Sequence, residues 1–248
     1  MDQENPSIIL GDCLDVMRTL DDKSVDMILC DPPYGTSACS AWDTIIPFEP
    51  LWAQYKRIIK TDGAIVLTAS QPFTTKLIMS NIEMFKYEMI WVKSRCTGYF
   101  DVQYRPMKNH ENVLVFGYGG VSNCSNPRMK YTPVGVVPCK PKKRTGKIPD
   151  ATCRSAVEAK GEQTYTNFPK SVIEFSSETK TVHPTQKPVA LFEYLIQMFT
   201  NEGDLVLDNC AGSCTTAIAA INTKRKFLCV EKNPEYYAIG LERVNGLR

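Results

Sequence analysis

Seven short apolar runs are the feature that most constrains how this chain can fold. The runs are nearly continuous instead of alternating with polar residues, which is typical of strands buried on both faces of a mostly parallel sheet. They lie at 7–13, 25–30, 64–69, 87–92, 112–117, 204–209 and 226–231. Stretches with helical spacing accompany them at 48–60, 72–85, 188–199 and 233–244. The pattern predicts an α/β fold with a doubly wound, mostly parallel, seven-stranded sheet.

Composition excludes several classes of function. The 248 residues carry 29 Lys and Arg against 27 Asp and Glu, so the net charge of +2 does not by itself indicate nucleic acid. The ten cysteines include no CxxC pair and there are only two histidines, so no metal site is predicted. The polar residues 1–10 do not resemble an export signal, and no apolar run comes near the roughly 18 residues of a membrane span, so we expect neither feature. We therefore expect a cytoplasmic protein with no membrane partner.

Residues 122–182 interrupt the succession of strands and helices. The segment is rich in Pro, Ser, Thr and Lys, and it holds eleven Lys or Arg against five Asp or Glu. One interpretation is a solvated loop. The other is an insertion that faces nucleic acid, because clustered cations neutralise phosphates and release counterions. The candidate DNA-binding residues are Lys140, Lys142, Lys143, Arg144 and Lys147.

Acidic side chains follow four of the predicted strands. Asp12, Asp31 and Asp208 each come at or just after the end of an apolar run, and Glu231 closes another. In an open parallel sheet, ligands bind outside the carboxyl ends of the strands. One strand-end acid is commonly a cap or a turn former, but four around one sheet indicate a ligand site.

The stretch "DNCAGSCTTAIAA" (208–220) follows a strand and opens a helix, as a cofactor loop does. Gly212 and Ser213 lie where a tight turn brings the backbone close to a ligand. Glu231, further along the chain, is placed to accept hydrogen bonds from ribose hydroxyls. The loop matches neither GxGxxG nor the phosphate-binding P-loop, so the ligand has a ribose but no phosphate chain. S-adenosyl-L-methionine fits that description.

The motif "DPPY" (31–34) stops a buried strand on a carboxylate and a stiff turn. Asp31 and the carbonyl of Pro32 are suited to accept the two N–H groups of an exocyclic amine, and Pro33 helps to fix the direction of that carbonyl. Tyr34 is suited to stack on a planar base. Two acceptors localise the lone pair of the amine toward a methyl donor, by positioning and electrostatics. A base inside a duplex must be flipped out to reach such a site.

Four motifs together resemble a known family, the DNA amino-methyltransferases of the circularly permuted beta class. The motifs are "GDCLDVM" (11–17), "DPPY" (31–34), "VHPTQKP" (182–188) and "DNCAGSCTT" (208–216). The resemblance implies a catalytic role for Asp31, Pro32, Pro33 and Tyr34. It also implies that Asp12 contacts the adenine of the cofactor and that Thr185 and Lys187 face its carboxylate. The full set of predicted cofactor-binding residues is Asp12, Cys13, Thr185, Lys187, Asp208, Ala211, Gly212, Ser213, Thr215 and Glu231.

The order of these motifs implies the organisation of the chain. Residues 1–121 form the catalytic part and 183–248 the cofactor-binding part of a Rossmann-like class I methyltransferase fold, and 122–182 form a target-recognition insertion. The implied reaction is site-specific methylation of adenine N6 in double-stranded DNA, as in restriction–modification, in the cytoplasm of a bacterium or a phage-infected cell. The family also contains homodimers, which no stretch of this sequence demonstrates.

Alternatives to adenine methylation remain open at this point. N4-cytosine methylation uses the same amine chemistry, although relatives that act on cytosine more often begin the tetrapeptide with serine. RNA or single-stranded DNA could present a similar flipped base. C5-cytosine chemistry is excluded, because its Pro-Cys (138–139) and Glu-Asn-Val (111–113) strings occur in reverse order.

One residue departs from the family pattern. Cys214 replaces the last glycine of the usual Gly-Ser-Gly. If that position needs a positive φ or a close backbone approach, the side chain weakens cofactor binding. This keeps a further alternative open, a degenerate homologue that binds DNA without turnover.

Overall fold

A computed structural model describes residues 7–36, 43–147, 158–178 and 186–247, without the side chains of 144–147 and 158–160. Its strands are β1 (Ser7–Leu10), β2 (Val25–Cys30), β3 (Ile59–Ala69), β4 (Phe85–Thr97), β5 (Lys108–Phe116), β6 (Val137–Lys147), β7 (Glu158–Thr166), β8 (Val172–Phe175), β9 (Leu205–Asp208) and β10 (Lys226–Glu231). Its α-helices are α1 (Cys13–Arg18), α2 (Phe48–Ile58), α3 (Phe73–Ser80), α4 (Val189–Phe199), α5 (Thr215–Asn222) and α6 (Pro234–Asn245).

Eight strands form the central sheet, in the order β1-β10-β9-β2-β3-β5-β4-β8. Among the described strands of this sheet, β5 alone runs against the others, since it pairs antiparallel with both β3 and β4. Its amino end therefore lies at the edge where the other strands have their carboxyl ends. The predicted α/β class with a mostly parallel sheet is confirmed, and each of the seven predicted strands is present.

The eighth strand, β8, was not predicted from the sequence. It pairs in parallel with the edge strand β4, and its four residues lie in the polar segment 122–182. A short edge strand has one paired side and needs little apolar character, so it leaves a weak sequence signal. The first strand also ends earlier than predicted, because Asp12 caps α1 by accepting a hydrogen bond from the Leu14 amide (2.9 Å).

Helices cover both faces of the sheet. The buried residues of helix α2 have the spacing of one helical face: Leu51, Trp52, Tyr55 and Ile58. They belong to the same hydrophobic core cluster as Ile28 of β2. On α4 the buried residues include Leu191, Phe192, Leu195 and Ile196. Strand β2, in the middle of the sheet, is buried along its whole length. Each fully buried large apolar side chain contributes about 1.5–3 kcal/mol, so the core holds the central strands and their carboxyl ends rigidly in place.

The chain divides into two units, of which Pro133–Lys170 is the smaller. This unit contains β6 and β7, which pair as an antiparallel hairpin. Residues 122–132 and the described residues 171–178 belong to the larger unit, with the central sheet. Lys140, Lys142 and Lys143 are exposed on β6, while Arg144 and Lys147 lie where side chains are not described. Within the described residues, no helix is both long and apolar enough to cross a membrane.

Candidate active site

The carboxyl edge of the sheet forms a cleft of about 1190 Å³. The four strand-end acids lie on neighbouring strands: Asp12 follows β1, Glu231 ends β10, Asp208 ends β9 and Asp31 follows β2. The cleft is lined by every predicted catalytic residue and by every predicted cofactor-binding residue except Thr185, which lies outside the described residues. The structure thus brings together side chains that are up to about two hundred residues apart in the sequence.

Both carboxylate oxygens of Asp31 are engaged by neighbouring side chains. The Tyr34 hydroxyl (2.7 Å) and the Thr68 hydroxyl both donate to Oδ1. The ammonium of Lys187 donates to Oδ2 at 2.6 Å. A carboxylate oxygen has two lone-pair sites, so the described donors fill both sites of Oδ1 and only one of the two sites of Oδ2. None of the described residues donates to the carbonyl of Pro32, and Pro32 also lines the cleft.

The turn after "DPPY" requires a glycine. Gly35 has φ +66°, and a Cβ there would come within 3.0 Å of the Ile45 side chain. The Asp43 carboxylate accepts hydrogen bonds from the amides of Gly35 (2.9 Å) and Thr36 (2.7 Å). This clamp holds the backbone that follows Tyr34.

A chain of opposite charges continues from Asp31 to Glu111 and Lys93. Lys187, only 7 % exposed, lies between Asp31 and Glu111, with its Nζ 3.4 Å from Glu111 Oε2. Lys93 of β4 donates to Glu111 Oε1 at 3.0 Å. Burial by itself lowers the pKa of Lys187, but the charges of Asp31 and Glu111 outweigh it and hold that pKa above its usual value. Burial raises the pKa of Glu111, yet Lys187 and Lys93 together hold it below its usual value.

The ring of Tyr34 already has an aromatic neighbour. Tyr34 stacks on Phe73 of α3, with ring centroids 5.3 Å apart and planes inclined by 24°. The Lys187 Nζ lies 5.6 Å from the Tyr34 ring centroid. The tyrosine is therefore fixed at its hydroxyl by Asp31 and on one ring face by Phe73, and it lines the cleft with the remaining surface.

At the other end of the cleft, Glu231 organises the cofactor loop. Its Oε2 accepts from the Gly212 amide and its Oε1 from the Asn233 amide, both at 2.7 Å. The described donors thus take one lone-pair site of each oxygen, and two ribose hydroxyls need one further site on each. Gly212 has φ +50°, and a Cβ built there meets nothing within 4 Å. The loop therefore leaves open space beside a buried carboxylate, and these residues fit a nucleoside.

Asp208 supplies the loop with a second buried carboxylate. It accepts from the Cys210 amide (3.0 Å) and from the Thr216 hydroxyl. Burial raises the pKa of Asp208 to about 7, in spite of these hydrogen bonds, which lower it. Its neighbour Asn209 is buried and accepts from the Tyr55 hydroxyl at 2.6 Å, which ties the loop to α2.

The structure gives Cys214 a different surrounding from the one its sequence context suggested. Its φ is +60°, so the position has the positive φ that the sequence analysis considered, and the residue forms the N-cap of α5. Its side chain is fully buried and does not line the cleft. The sulfur lies against Gly240 of α6, where an added Cβ would come within 3.0 Å of it. The glycine at 240 accommodates the cysteine, so the side chain does not occupy the cleft, while the positive φ keeps the backbone strain that a non-glycine residue carries there.

We expect Gly240→Ala to destabilise the protein by about 1–3 kcal/mol, because it overpacks the Cys214 sulfur. In a domain of this size each 1 kcal/mol lowers the Tm by about 2–4 °C, which thermal unfolding measures. The double variant Cys214→Gly with Gly240→Ala should recover most of the loss, since the clash is gone. Equal losses in the single and double variants would contradict this packing.

Glu111 and Lys93 line the cleft but were not predicted as site residues. Glu111 precedes the apolar run at 112–117, and its Glu-Asn-Val context was considered only for the excluded C5-cytosine chemistry. It reaches the cleft because β5 is antiparallel, so the start of this strand lies at the carboxyl edge of its neighbours. The sequence feature that could have indicated this position is the charge of Glu111 directly before the apolar run at 112–117.

A family model described as DNA methylase (N6_N4_Mtase) matches residues 25–242. The chain is similar to DNA adenine methyltransferase YhdJ of Escherichia coli (strain K12), with 29% identity over 259 residues that cover 98% of this chain and 83% of YhdJ. It is also similar to the type II methyltransferase M.HpaI of Haemophilus parainfluenzae, with 25% identity over 257 residues that cover 99% of this chain and 75% of M.HpaI.

Solved structures of DNA methyltransferases are also similar to this chain. The M1.HpyAVI–SAM complex superposes with a TM-score of 0.61 at 25% identity and covers 96% of this chain and 98% of its own. The cytosine-N4-specific PvuII DNA methyltransferase has a TM-score of 0.66, over 96% of this chain and 86% of its own, but its 17% identity shows the fold alone. Because the family model spans most of the sequence and the DPPY and cofactor-loop motifs lie in one cleft, the chain belongs to the N6_N4_Mtase family of DNA methylases.

Proposed function

We propose that the protein methylates the N6 amine of an adenine flipped out of double-stranded DNA, with S-adenosyl-L-methionine as the methyl donor. The observation that carries the proposal is the pair of acceptors at the end of β2. Among the described residues, Asp31 Oδ2 accepts from Lys187 alone and the Pro32 carbonyl accepts from none, and both residues line the cleft. Two acceptors on consecutive residues of the cleft match the two N–H groups of an exocyclic amine.

The chain acts on this amine by positioning and charge. The cofactor supplies an electrophilic methyl group on a sulfonium. Asp31 and Pro32 hold the amine so that its nitrogen lone pair faces that methyl, and the nitrogen–carbon bond forms as the sulfur–carbon bond breaks. The nitrogen becomes positive and returns to neutral by releasing one proton. Asp31 is the nearest carboxylate for that proton, with Lys187 and Glu111 behind it.

The cofactor is held along the same edge of the sheet. Glu231 binds the ribose hydroxyls, and Asp12, beyond β1, binds the adenine amine. The open space at Gly212 admits the nucleoside, and Asp208 places a negative charge near the loop. Lys187 donates to Asp31, and in this proposal it also faces the carboxylate of the cofactor, which would link the cofactor end of the cleft to the substrate end.

We propose the beta-class organisation for this chain, and that organisation implies DNA as the partner. The chain presents the catalytic motif first, then the basic segment, then the cofactor loop. Strands β9 and β10 from the end of the chain lie between β1 and β2, as a permuted sheet requires. Residues 122–182 serve as the target-recognition insertion between the parts 1–121 and 183–248, with the exposed Lys140, Lys142 and Lys143 contacting phosphates. The enzyme works in the bacterial cytoplasm, as a monomer or a homodimer.

The proposal is tested by expressing the protein in a methylation-deficient bacterium and sequencing the host DNA for modified bases. We expect N6-methyladenine in one recurring sequence context. N4-methylcytosine would keep the amine chemistry but contradict the choice of base. Unmodified DNA in cells that contain folded protein would contradict the proposal and support a non-catalytic DNA-binding homologue.

A further inference from the structure

The connection between β4 and β5 presents an exposed aromatic surface at the rim of the cleft. We name residues 98–107 the aromatic tip. The strands end on Thr97 and begin again at Lys108, and both of these residues line the cleft. Phe100 is 97 % exposed, Tyr104 88 % and Tyr99 71 %. Exposed aromatic groups beside a binding cleft usually mark an interaction surface.

The aromatic tip has a defined backbone. A short 3₁₀ helix, Tyr99–Asp101, follows Gly98, whose φ is +89°. The Asp101 carbonyl accepts from the amides of Tyr104 (2.9 Å) and Arg105 (3.0 Å), which closes the next turn. The rings of Tyr99 and Phe100 lie edge to face, 6.3 Å apart. The aromatic side chains are thus carried by turns of the tip itself, and none of them belongs to the hydrophobic core that the described residues form.

The charges around the aromatic tip favour an acidic partner. Arg95 and Lys108 lie on the strands that carry the tip and pair with no acidic side chain among the described residues, whereas Arg105 is paired with Asp101 and Lys93 with Glu111. Lys93, Arg95 and Lys108 also line the cleft. A surface that combines stacking rings with cations at the entrance to a base pocket is complementary to nucleic acid, whose bases stack and whose phosphates are anionic.

We propose that the aromatic tip inserts into double-stranded DNA beside the target base and occupies the space that the base leaves when it flips. Phe100 is the inserted ring, and Tyr99 and Tyr104 stack on the bases at the sides of the gap. Apolar wedges of this kind unstack base steps in other DNA-binding proteins. This inference rests on the proposed function, since it assigns the opening of the duplex to a surface of the same site.

The test compares Phe100→Ala with Tyr104→Ala, alone and together, on three substrates that contain the sequence context identified by sequencing the host DNA. These are a matched duplex, a duplex with a mismatch at the target adenine, and the single strand. We expect kcat/KM on the matched duplex to fall about 10- to 100-fold. On the mismatched duplex and the single strand it should change less than about threefold, because little or no stacking and pairing must be broken there. The matched control is Met79→Ala, which removes an exposed apolar side chain from α3.

Three results would overturn the inference. Unchanged activity on the matched duplex would show that the aromatic tip does not open DNA. An equal loss on all three substrates would show that it acts on the chemistry or on the cofactor. A change of oligomeric state in sedimentation, in parallel with the loss, would assign the surface to a second copy of the chain.

If the wild type methylates nothing, the proposed function fails, but the role of the aromatic tip can still be tested by fluorescence anisotropy. The variants should then lose affinity for duplex DNA but not for single strands.

Discussion

Replacing Asp31 by alanine is expected to lower the rate of methyl transfer by about 10²–10³-fold or more, equivalent to about 3–4 kcal/mol in the transition state. The variant loses the acceptor at Oδ2 and the carboxylate that is nearest to the released proton. Cofactor affinity should change less than about threefold, since Glu231 and the loop at Gly212 are untouched. Single-turnover rates with saturating cofactor, together with calorimetric cofactor affinities, measure the two effects separately.

The controls for this variant separate chemistry from folding. Asp31→Asn keeps one acceptor oxygen and the shape of the side chain, so it should retain more activity than alanine. Asp15→Ala on α1 removes an exposed carboxylate that pairs only with Arg18 among the described residues, and it should leave the rate unchanged. Near-normal turnover of Asp31→Ala would contradict the role that we assign to "DPPY".

Replacing Lys187 by methionine is expected to lower both stability and activity. The change leaves Asp31 and Glu111 without the ammonium between them, and breaking such a buried ion pair costs up to about 3–5 kcal/mol. Lys93 still pairs with Glu111, so Glu111 keeps one cation, whereas Asp31 keeps none among the described residues. The rate should fall with it, because the acceptor for the amine is no longer held. Urea unfolding and single-turnover rates measure the two losses, and Lys187→Arg should restore part of each.

The effect of Lys187→Met on stability should depend on pH. Because the pKa of Glu111 lies below its usual value, its ion pairs contribute stability that is complete above the ordinary carboxyl pKa of about 4.3. That contribution is lost as the pH falls through the lower folded-state value. The difference in stability between wild type and variant should therefore be largest at neutral pH and shrink in acid. A difference that grows in acid would contradict the charge chain.

The sheet also contains a matched control for this variant. Asp26, at the opposite end of β2, is paired with Lys60 (2.8 Å) and Lys130 (3.4 Å) outside the cleft. Lys60→Met removes one of two cations from a buried carboxylate, as Lys187→Met does at Glu111. Lys60→Met should lower stability less than Lys187→Met does, because Lys60 is more exposed than Lys187. It should leave the rate of methyl transfer unchanged. Equal losses of rate in the two variants would show that Lys187 acts only through folding.

The central sheet could be predicted because its signal is local. Each strand is a nearly continuous apolar run, and a run such as 25–30 is recognisable whatever its neighbours are. Strand β8 and the hairpin of β6 and β7 could not be predicted, because polar residues form strands only when a partner is present to complete their hydrogen bonds. The direction of β5 is equally absent from the sequence, since parallel and antiparallel pairing leave similar patterns in a buried strand.

The candidate site could be predicted to the extent that its residues follow strand ends. Asp31, Asp208 and Glu231 converge because neighbouring parallel strands end at the same edge. Glu111 escaped prediction because it comes near the start of an antiparallel strand. The partners of Lys187 could not be foreseen either, since its contact with Asp31 joins residues 156 positions apart. The accommodation of Cys214 by Gly240 is of the same kind, because it depends on how α6 packs.

The measurement that tests the central claim most directly is a methyl-transfer assay with purified protein, unmethylated duplex DNA and S-adenosyl-L-methionine that carries a deuterated methyl group. The DNA is then digested and its nucleosides are analysed by mass spectrometry. We expect deuterated N6-methyldeoxyadenosine with the wild type and none with Asp31→Ala. Deuterated N4-methyldeoxycytidine, label on any other atom, or no label from a folded protein that binds the cofactor would contradict the account.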